Sequence, residues 1–87
     1  MATVWIPSLM RDLTAGRTQV VVAGRTVGAI IDALEEACPG FKARLTKGQS
    51  LDPAIRALVD GRAALLGLNE PVRQDSEIHF VPTIAGG

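Results

Sequence analysis

Eighty-seven residues, 47% of them hydrophobic, can build one small core and leave no room for a second domain. Nine Lys/Arg balance nine Asp/Glu, so the basic excess that nucleic-acid and anionic-membrane binding draws on is missing. One cysteine and one histidine exclude an internal disulfide and a multi-cysteine metal site.

Neither do they supply a nucleophile, a base and an orienting group, so the chain is not expected to be an enzyme by itself. There is no charged leader followed by an apolar stretch, and no apolar run of bilayer length. A soluble, cytoplasmic protein is the expectation.

Taken in order, Thr3–Ile6 is a β-rich run stopped by Pro7. Ser8–Gly16 mixes Leu9, Met10 and Leu13 with Arg11 and Asp12 and reads as a loop with a few tucked apolar side chains. Thr18–Val22, rich in β-branched residues, is the strongest strand and completes an amino-terminal hairpin. Thr26 stands at an N-cap position, and from Val27 the apolar period lengthens. Val27, Ile30, Ile31, Leu34, Ala37 and Cys38 share one helix face, which Pro39-Gly40 terminates. Phe41–Leu45 adds one more turn.

Thr46–Pro53 is polar and reads as a surface loop. In Ile55–Val59 the residues Ile55, Ala57 and Val59 alternate with Arg56 and Leu58. Asp60-Gly61 then makes a two-residue hairpin turn, with Arg62–Leu66 as the returning strand. Glu77–Val81 is the last strand, and a tail over 82–87 leaves it. One helix cannot cover both faces of a sheet, so the order implies an α+β chain: a mixed sheet of four to five strands with one main helix on one face. That is the β-grasp arrangement, here in a single domain over residues 1–87 with a flexible Gly-Gly tail.

The carboxyl terminus is the one unusual feature, readable as a plain flexible tail or as the part that carries chemistry. No charged side chain follows Glu77, and the last residues are Thr83, Ile84, Ala85, Gly86 and Gly87. A main chain without side chains fits a narrow channel in which a Cβ would clash. What it delivers there is the α-carboxylate of Gly87. A carboxylate is a poor electrophile, but ATP-dependent adenylation makes it a mixed anhydride that sulfide or an amine displaces. In such a reaction the protein is the substrate.

Several segments together resemble the MoaD/ThiS family of ubiquitin-like sulfur carriers over essentially the whole chain. They are Ile6-Pro7-Ser8-Leu9, the Val59-Asp60-Gly61 turn, Gln74-Asp75-Ser76-Glu77-Ile78 and the ending Val81-Pro82-Thr83-Ile84-Ala85-Gly86-Gly87. Ile6-Pro7 with Leu13-Thr14-Ala15-Gly16-Arg17 leans to the CysO-like branch. Two departures stand out, Asp60 where many relatives have Asn and Gln74-Asp75-Ser76 in place of Asp-Gly-Asp.

The resemblance implies that a ubiquitin-activating-type enzyme uses ATP to adenylate Gly87, with no cofactor bound to the carrier. A sulfur donor then forms a thiocarboxylate, and a synthase accepts its sulfur for cysteine or another metabolite. The small subunit of molybdopterin synthase, a ubiquitin-like protein modifier and a plain interaction module are the alternatives.

Partner recognition is expected at Gly86, Ala85, Ile84, Thr83, Val81 and Trp5. Alternation with Val4 and Ile6 turns Trp5 outward, where aromatic residues anchor interfaces; a one-residue slip of register would bury it instead. Cys38 reads as a buried inert thiol and His79 as solvated surface. Asp32, Glu35 and Glu36 read as a solubilising helix face, and Arg11, Arg17 and Arg25 as scattered surface charges.

Overall fold

β-Branched residues set the first two strands, β1 (Ala2–Trp5) and β2 (Gln19–Val22), which pair antiparallel with Val4 opposite Val20. The structure, a computed structural model, describes residues 1–83. Ile84, Ala85, Gly86 and Gly87 therefore lie outside the described residues.

Between β1 and β2 the chain forms a 3-10 helix, Ser8–Thr14, where the sequence reads as a loop. A tertiary contact holds it. The Arg44 guanidinium donates to both carboxylate oxygens of Asp12, at 3.1 and 3.0 Å, and to the Leu9 carbonyl at 3.2 Å. Met10 and Leu13 pack on the core, but Leu9 is 90% exposed.

Helix α1 (Val27–Ala37) starts as expected, with the Thr26 hydroxyl accepting the Ala29 N–H at 3.1 Å. Val27, Ile30, Ile31 and Leu34 are buried. The stripe ends sooner than its spacing suggests, because the helix stops: Ala37 is exposed and Cys38, expected to be buried, is a half-buried C-cap. At Gly24 a Cβ would lie 2.9 Å from the Ile30 nitrogen, so glycine permits the tight corner between β2 and α1. Helix α2 (Phe41–Leu45) buries Phe41 and Leu45. Glu35 is not a free surface charge. Its carboxylate accepts the N–H groups of Gly40 at 3.1 Å and Lys42 at 2.8 Å, fixing the start of α2.

The expected loop 46–53 holds a small hairpin of β3 (Thr46–Lys47) and β4 (Ser50–Leu51). β5 (Ile55–Val59) and β6 (Arg62–Ala63) follow, joined by Asp60 and Gly61 at φ 51° and 81°, both left-handed as this turn requires. β6 is shorter than the expected Arg62–Leu66. The Glu70 carboxylate captures the Leu66 N–H at 3.0 Å and the chain turns into a second 3-10 helix, Gly67–Asn69, leaving Leu65 and Leu66 exposed. β7 (Glu77–Pro82) runs one residue past its expected end, so Pro82 belongs to the sheet and not to the tail.

The five-stranded sheet has the order β2-β1-β7-β5-β6, with β1 and β7 parallel and the other pairs antiparallel. One face, carrying Val4, Val20, Ala57, Val59, Ile78 and Phe80, joins the buried side of α1 in a single core. Each fully buried aliphatic there contributes about 1.5–3 kcal/mol relative to exposure. The mixed sheet with one main helix is the β-grasp fold.

Candidate functional site

β7 leads directly into residues 84–87, so the side chains around its end are the described ones nearest the chemistry expected at Gly87. Its alternation sends Ile78 and Phe80 into the core and leaves Glu77, His79 and Val81 on the uncovered face. Register then sets their neighbours: Trp5 beside His79, Leu58 on the other side of His79, and Arg56 beside Val81. Gln19, Trp5, His79, Leu58 and Ala63 form one row across all five strands.

Trp5 thus faces away from Val4 and Ile6, which are 0% and 3% exposed. The expected register is the real one. Its ring stacks on His79 with centroids 5.6 Å apart and planes 6° from parallel. The indole N–H donates to Glu77 Oε1 at 2.9 Å, which fixes the ring on the sheet. His79, expected to be solvated, is half-buried beneath this stack. Its partner arrives by parallel pairing of the two ends of the chain, for which local sequence carries no signal.

Beyond Pro82 the root of the tail is anchored. Thr83 donates its N–H to the Ala54 carbonyl at 2.9 Å and its hydroxyl to the Pro53 carbonyl at 3.2 Å. The Asp52 carboxylate accepts the Ala54 N–H at 2.8 Å, closing that loop. Trp5, Val81 and Thr83 therefore lie at or near one end of the sheet. The remaining expected site residues, Ile84, Ala85, Gly86 and Gly87, fall outside the described residues.

On the other side of the β5–β7 end lies a cleft of about 180 Å³ lined by Pro7, Leu9, Met10, Ile55, Phe80 and Pro82. Local sequence gives no sign of it, because the 3-10 helix that forms one wall has the composition of a loop. Among the described residues no three of His, Cys, Asp and Glu come together. No described helix is long and apolar enough to cross a membrane.

The opposite end of β7 is closed by charge. Asp60 accepts the Glu77 N–H at 2.9 Å on one carboxylate oxygen and the Ser76 hydroxyl at 2.8 Å on the other. Ser76, 2% exposed, also accepts the Arg73 N–H at 2.9 Å. The Glu77 N–H first, then the Ser76 hydroxyl, with help from Arg73 and Arg62, holds the Asp60 carboxyl below its ordinary value.

Residues 4–87 match the ThiS family. The chain belongs to that family. Over 90 residues, covering 98% of this chain and 97% of the relative, it is 30% identical to the sulfur carrier protein CysO of Mycobacterium tuberculosis. A chain in the crystal structure of the Amycolatopsis orientalis BexX/CysO complex superposes with a TM-score of 0.92 at 35% identity, all of each chain being covered. SAMP1 from Haloferax volcanii superposes with a TM-score of 0.73 at 28% identity, over 99% of this chain and 98% of that one. These likenesses put this ThiS-family chain with the CysO-like, ubiquitin-like sulfur carriers. The two departures noted in the sequence, Asp60 and Gln74-Asp75-Ser76, meet here through the bond from the Ser76 hydroxyl to Asp60.

Proposed function

We propose that this ThiS-family chain carries sulfur as a thiocarboxylate on Gly87. The Gly87 carboxylate attacks the α-phosphate of ATP in an activating enzyme, releasing pyrophosphate and forming an acyl adenylate. Sulfide from a donor attacks the acyl carbon and AMP leaves. The thiocarboxylate then passes its sulfur to a biosynthetic acceptor, of the kind that makes cysteine or a sulfur-containing metabolite. The folded body binds and aims, while the partner supplies the catalysis.

The observation carrying this reading is the build of the tail root: Thr83 is tied to the 53–54 carbonyls beside the outward-facing Trp5–His79 stack, on a chain that matches CysO end to end. A reactive acyl group on a short arm needs such a fixed origin for a partner to find it. The complex that CysO of Amycolatopsis orientalis forms with BexX supports capture of such a carrier by a second protein.

Intact-mass measurement after incubation with ATP, the activating enzyme and sulfide provides the test. The full chain gains the difference between one sulfur and one oxygen, and a chain lacking Gly87 gains nothing while melting at the same temperature. Unchanged mass in the full chain, or sulfur uptake by the shortened one, removes the proposal. The likeness to SAMP1, a protein named as a modifier, favours conjugation to lysine as the second reading, which the same spectra reveal as higher-mass adducts.

A further inference from the structure

We infer that the apolar cleft between the first 3-10 helix and the β5–β7 end receives an apolar side chain, leucine- or methionine-sized, from the rim of the enzyme that activates Gly87. This inference rests on the carrier reading of the tail.

The short reach of the tail brings the enzyme to this cleft. Four residues separate Thr83 from the acyl carbon of Gly87, and four fully extended residues span at most about 14 Å. An active site working on Gly87 must bring its rim to the tail root. Pro82 and Ile55, paired across β7 and β5, lie at that root and also line the cleft. A rim that reaches the root on the face of Pro82 and Ile55 covers the cleft.

The lining of the cleft favours an apolar guest. A space of about 180 Å³ holds on the order of six waters at about 30 Å³ each. Proline, leucine, methionine, isoleucine and phenylalanine side chains give that water few partners, so an apolar group gains by displacing it. Leu9 at the edge is 90% exposed, yet its backbone is held, because Arg44 clamps the Leu9 carbonyl and the Asp12 carboxylate together. A large exposed apolar side chain on an ordered support loses little entropy on docking. The partner thus grips β7 from two sides, the Trp5–His79 face and the Leu9 cleft.

The experiment compares carrier KM and kcat for thiocarboxylate formation in the full chain and its L9D, L9M and V21D variants. Leu9 and Val21 are both exposed; Val21 sits on the edge strand β2 and pairs with Thr3, which pairs with Glu77, so it lies in the row at the start of β7, away from the root. L9D is expected to raise KM roughly fivefold to tenfold with kcat retained, the size of one lost apolar anchor. V21D should match the wild-type chain, L9M should recover most of the KM lost in L9D because it restores an apolar side chain, and circular dichroism should show all four folded. An L9D chain with wild-type KM, or a V21D chain impaired as much as L9D, overturns the cleft while sulfur uptake stands. A wild-type chain that takes up no sulfur overturns both.

Discussion

The two ends of β7 are built on opposite plans. At its start, Asp60 gathers the Glu77 N–H and the Ser76 hydroxyl, while the Glu77 carbonyl accepts the Asp60 N–H at 2.9 Å and the Ser76 carbonyl accepts the Thr3 N–H at 2.9 Å. That end joins β1, β5 and β7 and presents polar surface. At its finish, a backbone anchor at Thr83 is flanked by Trp5 and Val81 on one face and by the Leu9 cleft beside it. Polar groups sit where the chain must only stay put. Desolvatable surface is left where the proposed partner would dock, as expected of an interface whose energy concentrates in a few apolar anchors.

The sharpest way to break this contrast is to remove the largest anchor. Trp5→Ala should raise the carrier KM of the activating enzyme by tenfold or more, in line with aromatic hot spots. Trp5→Phe should lie between, since it keeps a ring over His79 and loses only the donor to Glu77. Steady-state kinetics on variants shown to be folded decide this. Equal KM for wild type and Trp5→Ala would mean that the open face is not the docking face.

Much of this layout is legible in the sequence, for identifiable reasons. Period changes locate β2, α1 and β7, and alternation places Trp5 and Val81 on one face, because register is rigid once Val4, Ile6, Ile78 and Phe80 are buried. What escapes depends on partners distant in sequence. The 3-10 helix needs Arg44, and the start of α2 needs Glu35. His79 is half-buried because β1, parallel to β7, lays Trp5 on it while Leu58 of β5 flanks its other side. Leu65 and Leu66 look like strand by composition, yet Glu70 and Gly67, the latter at φ 59°, turn the chain away. The hairpin in 46–53 is written in polar residues around Gly48 at φ 65°, which carry no apolar alternation. The cleft escapes with the helix that walls it.

The locked end makes its own demand. Asp60→Ala leaves the buried Ser76 hydroxyl and the Glu77 N–H without their acceptor, a loss of about 1–2 kcal/mol. For a chain of this length that lowers Tm by several degrees, about 4–8 °C per kcal/mol. Sulfur uptake at a temperature where the variant is folded should be unchanged, because Asp60 lies at the far end of β7 from Thr83. A chain that loses uptake while folded would show that the two ends are coupled and do not divide their tasks.

The smallest effect is a slope. Asp60 has its carboxyl lowered in the folded chain, so in acid the unfolded chain takes up the proton first. Its stabilising contribution is complete above the unfolded value near 4 and is lost as pH falls through the lower folded value. Asp12, lowered by the Arg44 guanidinium, adds an acid-side loss of the same sign. Asp60→Asn keeps a carbonyl for the Glu77 N–H and removes the titrating group. Urea melts from pH 6 down to pH 3 should therefore show wild-type stability falling faster than that of Asp60→Asn. The two curves converge at the acid end, and Asp12 contributes a residual slope of the same sign in the variant. Parallel curves would mean that Asp60 holds β7 by shape alone, with its charge contributing nothing.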